Sequence, residues 1–309
     1  MSHDATAETG EPTEDSHMPV FGRLLTAMIT PFGKDGGIDH AEAARLAAHL
    51  VDDLGNEGLV VNGTTGESPT TSDEEQAALL RTVVDAVGDR ASVVAGVGTF
   101  STEHTIHLAE QAAAAGSDGL LVVSPYYSRP PLDALEAYHL AVADATDLPV
   151  MLYDIPHRVG MPMPEELLIR LAAHPNIVAV KDAKGDAVSS SAVIAATTLD
   201  YYAGDDGFLL PLLGVGGVGV VGTSTHFSGL QAREIIEAHA AGDVQRAVAA
   251  HQAALPVFRG VFATQGCMMV KAALNARGWD VGGCRPPMGA VAPEMLEQFL
   301  ASLDLLLGD

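Results

Sequence analysis

Between residues 24 and 222 the chain repeats one unit, a short run apolar at successive positions followed by a longer stretch with helical spacing of its apolar residues. The runs fall at 24–29, 58–61, 92–96, 119–123, 150–153, 177–181, 201–204 and 218–222, and the helical stretches include 39–54, 73–87, 102–115 and 131–145. A strand that is apolar on both faces must be covered on both, as in a parallel sheet whose crossovers are helices. Eight strands alternating with eight helices over roughly 250 residues predict an α/β fold, a (β/α)8 TIM barrel, with a doubly wound sheet as the rival arrangement. Residues 242–309 show no ninth strand and read as helices near 244–253, 255–277 and 293–307. The expected organisation is a disordered acidic tail at 1–20, a barrel at 21–241 and a C-terminal helical extension at 242–309.

The tail follows from composition: Glu8, Glu11, Glu14 and Asp15 stand among Thr, Ser, Gly and Pro, and such a segment cannot bury a core. Over the whole chain 16 Lys and Arg face 40 Asp and Glu, a formal charge of −24 that repels nucleic acid and anionic lipid alike. The apolar stretches are broken by Gly, Asp or Pro well before a membrane span is reached, and residues 1–20 lack the apolar centre of a signal peptide, so a cytoplasmic protein is expected. Cys267 and Cys284 have no metal-ligand spacing and read as reduced thiols.

Lys181 is one of only four lysines, and it ends the run Ile177-Val178-Ala179-Val180. An ammonium at the end of a buried strand must be paired or give up its proton, and the neutral amine is a nucleophile suited to Schiff-base chemistry. Lys34 lies in the turn-like Gly33-Lys34-Asp35-Gly36-Gly37, Lys184 lies beyond the strand, and Lys271 falls in an Ala-rich helical stretch, so none of these ends an apolar strand.

In a barrel the reactive side chains occupy the C-terminal ends of strands and the loops that follow. Asn62-Gly63-Thr64-Thr65-Gly66-Glu67-Ser68 follows the second run, Ser124-Pro125-Tyr126-Tyr127 the fourth and Tyr153-Asp154-Ile155-Pro156-His157-Arg158 the fifth. Lys181-Asp182-Ala183 and Gly204-Asp205-Asp206 end the sixth and seventh. The glycine loop offers backbone N–H groups and two hydroxyls to a carboxylate, Tyr153 can move protons, and Arg158 can grip a second carboxylate with its two-pronged guanidinium. Taken singly, each could be a plain turn, a core phenol or a surface arginine; together they compose a site for carbonyl chemistry on Lys181.

The ordered set GTTGES, SPYY, YDIPHR, VKDA and AGDD resembles the dihydrodipicolinate synthase branch of the pyruvate-dependent aldolase family, from about Leu24 to the C-terminal helices. The resemblance implies that Lys181 forms an imine with pyruvate and that Thr65, Tyr153 and Tyr127 form a proton relay, with Tyr127 lent to a neighbouring subunit. It implies that Thr64 and Thr65 bind the pyruvate carboxylate, that Arg158 receives the carboxylate of L-aspartate 4-semialdehyde, and that Gly204 and Val221 contribute backbone contacts beside the imine. A homotetramer built from tight dimers is implied, and neither an organic cofactor nor a metal is called for. His104, His107 and Glu110 share a helix flank without a third histidine to complete a zinc motif. Where lysine-sensitive relatives place the polar set that holds the effector, this chain has Asp73, Gln76, Phe100 and His104, which implies insensitivity to lysine.

Two other functions fit parts of the pattern. One is cleavage of N-acetylneuraminate or a 2-keto-3-deoxy sugar acid within the same superfamily, which Arg158 disfavours because sugar acids call for hydroxyl-binding residues in that loop. The other is a non-catalytic ligand-binding paralogue, against which the joint presence of Lys181, Tyr153, Tyr127, Thr64 and Thr65 argues.

Overall fold

A computed structural model describes residues 18–308; the tail expected at 1–20 lies outside the described residues as far as position 17. Eight parallel strands close in chain order: β1 (Leu24–Ala27), β2 (Gly58–Val61), β3 (Ser92–Gly96), β4 (Gly119–Val123), β5 (Val150–Asp154), β6 (Ile177–Asp182), β7 (Asp200–Ala203) and β8 (Gly219–Gly222), with β8 pairing back onto β1. The closed barrel decides against the doubly wound alternative. The pleat explains the continuous apolar runs: Leu25, Val60, Val94, Leu121, Met151, Ala179, Tyr202 and Val221 pack inside the barrel, whereas their strand neighbours Leu24, Leu59, Val93, Leu120, Leu152, Val180, Tyr201 and Val220 pack outward in the core that includes the helices.

The N-terminal mouth is plugged. Phe21 is fully buried there, and a Cβ on Gly119 would lie 2.4 Å from its ring, so glycine at the start of β4 makes room for the plug. The Tyr202 hydroxyl donates to Gly22 O at 2.9 Å across the same end. Space is left at the opposite mouth, where the strands end.

Strand limits depart slightly from the sequence reading, with local causes. β1 stops at Ala27, because the Ile29 N–H turns away to donate to His226 Nε2 at 3.1 Å. β6 continues through Asp182, which is in register with Asp154. The helix Asp73–Val87 carries a capping box in which Ser72 and Glu75 satisfy each other's backbone N–H groups, and Ser101 caps Thr102–Ala114.

After the helix Thr225–Ala240 the C-terminal segment forms helices Val244–Gly260, Gly266–Ala276 and Pro293–Leu307. The break expected near 254 falls instead after Gly260: the helix continues through Pro256 because Ala254, Val257 and Phe258 extend its buried stripe, and that burial outweighs the lost backbone donor. The next helix begins against the barrel mouth, where a Cβ on Gly266 would lie 2.9 Å from Thr223 Cγ2.

Candidate active site

β5 and β6 bring Tyr153 and Lys181 into register as direct neighbours. Lys181 is 4 % exposed and its Nζ lies 4.6 Å from the centroid of the Tyr153 ring. Burial lowers its pKa to about 8, with the Asp206 carboxylate opposing and the Arg158 charge adding to the shift. The other lysines are otherwise engaged: Lys34 is exposed, Lys184 donates to Ser189 Oγ at 3.0 Å, and Lys271 is paired with Glu67. Lys181 is therefore the lysine placed to present a neutral amine at the open mouth.

Burial raises the Tyr153 phenol to about 12, while the Arg158 charge and a hydrogen bond with the Thr64 side chain pull it back. Of the two threonines expected to serve the site, Thr64 is thus the one that contacts the phenol; the Thr65 hydroxyl instead meets Thr223 Oγ1 at 3.4 Å. Their loop is tightly folded. The Glu67 N–H donates to Thr64 O at 3.1 Å and Thr30 Oγ1 to Gly66 O at 2.6 Å, and a Cβ on Gly96 would come within 2.6 Å of Asn62 O, so β3 needs glycine to let the loop descend.

Thr64, Thr65, Tyr153, Arg158, Lys181 and Gly204 line a cavity of about 200 Å³. A second cavity of about 230 Å³ shares Thr64, Tyr153 and Arg158 and reaches out to Ser68 and Tyr126. Arg158 is exposed at the mouth and its guanidinium donates to Gln265 Oε1 at 3.0 Å. Gly204 is bonded through its N–H to Asp182 O at 2.7 Å, and Val221 is buried in the barrel interior without lining either cavity. Tyr127 is not brought to the site within one chain: its backbone is left-handed with φ 73° and its side chain is 97 % exposed.

Several contributors escaped the sequence reading. Asp206, noted there without a role, is fully enclosed and accepts from Thr223 N (3.0 Å), Ser224 N (3.0 Å) and Ser224 Oγ (2.6 Å), tying β7 to the end of β8. Burial raises its pKa and these bonds hold it back. A Cβ on Gly222 would lie 2.6 Å from Asp206 Oδ1, which accounts for glycine at that position here. Gln265 gave no signal in sequence; Lys271 gave one, a lone charge amid Met268-Met269-Val270 and Ala272-Ala273-Leu274.

Beside the outer cavity, a cleft of about 160 Å³ is lined by Asp73, Gln76, Phe100, His104 and Tyr126. His104 Nε2 lies 3.0 Å from both Asp73 oxygens, Gln76 Nε2 donates to Ser68 O at 3.2 Å, and the Phe100 ring stands edge-on to Tyr126 at 5.6 Å.

Residues 20–305 match the model of the dihydrodipicolinate synthetase family. The chain is 56 % identical over 286 residues to a 4-hydroxy-tetrahydrodipicolinate synthase of Cutibacterium acnes, covering 93 % of this chain and 98 % of that protein. Among solved structures, the dihydrodipicolinate synthase of Bacillus anthracis aligns with a TM-score of 0.90 at 38 % identity, covering 93 % of this chain and 99 % of that one. That of Cyanidioschyzon merolae, solved with lysine bound, aligns with a TM-score of 0.91, also at 38 % identity and with the same coverage of 93 % and 99 %. The closed barrel agrees with these matches, and the chain belongs to the dihydrodipicolinate synthetase family.

Proposed function

We propose that the protein condenses pyruvate with L-aspartate 4-semialdehyde to 4-hydroxy-tetrahydrodipicolinate, with release of water, in the branch of metabolism leading to diaminopimelate and lysine. The observation that carries this reading is the buried Lys181 amine, lowered to about 8, against the Tyr153 ring in a cavity that also holds Thr64, Thr65 and Arg158. The neutral Nζ attacks the pyruvate ketone carbon, the carbinolamine loses water, and the resulting iminium makes the methyl protons acidic. Loss of one of them gives the enamine, whose carbon attacks the aldehyde of the second substrate. The aldehyde oxygen takes up a proton as the hydroxyl, and the substrate's own amino group then attacks the iminium carbon, closing the ring and expelling Lys181 as the free amine.

Tyr153 supplies and removes protons in these steps. Its contact with Thr64 supports a relay through that hydroxyl, while Thr65, facing Thr223, serves the pyruvate carboxylate with the loop N–H groups. Arg158 takes the carboxylate of the semialdehyde and Gly204 shapes the wall beside the imine, whereas Val221, expected there too, packs in the barrel interior without reaching the cavity.

Tyr127 joins the relay from a second copy of the chain. Its strained backbone and exposed ring, together with the exposed Phe100 and Leu132, suit a surface completed by another subunit, and a homotetramer of tight dimers in the cytoplasm belongs to this reading. In this reading residues 21–241 are the catalytic barrel and 242–309 its helical extension, of which position 309 lies outside the described residues. The deciding experiment is a coupled assay with pyruvate and L-aspartate 4-semialdehyde, run beside cleavage assays on N-acetylneuraminate and 2-keto-3-deoxy sugar acids. Turnover of the sugar acids alone would overturn the proposal.

A further inference from the structure

Lys271 is among the largest side chains fully enclosed in the protein, and no step of the reaction employs it. Its Nζ donates to Glu67 Oε1 at 2.5 Å and to Gly283 O at 3.0 Å and lies 4.0 Å over the Phe32 ring. Both charged side chains are 2 % exposed. The second Glu67 oxygen accepts the Arg285 backbone N–H at 2.9 Å, and the Arg285 guanidinium forks onto Glu75 at 2.6 and 2.8 Å. Both oxygens of one carboxylate are thus held by the C-terminal segment.

Glu67 is also part of the catalytic loop. Its backbone is left-handed, φ 60°, and its N–H closes the turn onto Thr64 O. A non-glycine residue persists in that conformation only where its surroundings determine it. We propose that Glu67 and Lys271 are positioning residues for pyruvate, their buried ion pair locking the Thr64–Thr65 turn in the geometry that receives the substrate carboxylate. This rests on the reading of the site given above.

The energetics favour a geometric role over a stabilising one. Taking two charges out of water costs nearly as much as their attraction returns, so an apolar pair would serve stability as well, whereas the ion pair fixes direction and distance. The same helix, Gly266–Ala276, is preceded by Gln265, which accepts from Arg158. One rigid element thereby references the loops assigned to both substrate carboxylates, and displacement of such groups by about 1 Å is enough to slow turnover severely.

The test compares Glu67→Gln, Lys271→Met, the double variant Glu67→Gln/Lys271→Met and Glu67→Asp, which keeps both charges but shortens the reach by one methylene. Reductive trapping of pyruvate at Lys181 in a separate aliquot counts competent sites, and kcat is expressed per trapped site. KM for pyruvate should rise about tenfold or more in every variant, with KM for the semialdehyde within about twofold of wild type. The double variant leaves no orphaned charge and Glu67→Asp keeps the net charge of the pair, so the comparison does not depend on the single neutral variants folding. Unchanged constants in the trapped sites, with only the trapped fraction or melting temperature reduced, would overturn the proposal, as would failure of all four variants to fold. Wild-type protein that traps no pyruvate would instead sink the reading of the site itself.

Discussion

Tyr153 and Lys181 are register partners on adjacent parallel strands, and both side chains point into the barrel, where the amine lies against the face of the phenol ring. The sheet itself therefore sets the distance between the amine and the phenol proposed as nucleophile and proton carrier. Rigid strands hold such a pair more closely than loops can, and the apolar layer beneath, with Ala179 and Met151, keeps water from stabilising the ammonium.

Because burial lowers Lys181 to about 8, the amine is mostly protonated below that pH and mostly neutral above it. Imine formation with pyruvate, sampled over time at each pH and quenched with excess borohydride under one fixed condition, should accelerate with pH and level off above a midpoint near 8, well below the range of an ordinary lysine. Peptide mapping should place the reduced pyruvyl group on Lys181 and find none in Lys181→Ala. Labelling of Lys184 or Lys271 instead would refute the assignment.

Tyr153→Phe removes only the hydroxyl that Thr64 contacts and leaves the ring against Lys181. Turnover should fall by about 10² to 10⁴, the usual contribution of a positioned acid or base, while circular dichroism stays unchanged. Thr64→Val should slow turnover more than Thr65→Val, whereas Thr65→Val should chiefly raise KM for pyruvate. The opposite ranking would return the relay to Thr65.

Arg158 is exposed at the mouth and held by Gln265. Arg158→Ala should raise KM for the semialdehyde far more than it slows imine formation, and Arg158→Lys should recover little, since a point charge lacks the two-pronged geometry. Gln265→Ala should show the same pattern more weakly, by a few fold. Equal damage to both half-reactions would assign Arg158 a structural part.

If Tyr127 acts in a neighbouring subunit's site, Lys181→Ala and Tyr127→Phe proteins should each be impaired alone and regain activity when mixed. Hybrid sites would then take Lys181 from one parent and Tyr127 from the other. Native mass spectrometry establishes that subunits have exchanged; no recovery after exchange would remove Tyr127 from the partner's site.

In the cleft beside the outer cavity, Asp73 is occupied by His104 at 3.0 Å and the Phe100 ring stands beside Tyr126. A free lysine ammonium would have to compete with His104 for that carboxylate. Activity should stay flat through the low-millimolar range of lysine, and calorimetry should show no saturable heat. Saturable inhibition would show that Asp73, Gln76, Phe100 and His104 still admit the effector.

The barrel could be read from the sequence because its determinants are local: runs apolar on both faces, helical spacing between them, and caps such as Ser72 with Glu75. Lys181 was recognisable for the same reason, as a charge interrupting an apolar strand, and ordered short motifs singled out Tyr153, Arg158 and the threonine loop. Side-chain approach across the chain was not. Periodicity does not encode that Glu67 meets Lys271 from 204 residues away, that Gln265 reaches Arg158 across 107, or that the Thr64 side chain bonds the phenol. Nor does it tell whether Pro256 ends a helix, since the cost of a missing donor is weighed against burial of Val257 and Phe258 by a surface that exists only once the barrel has closed.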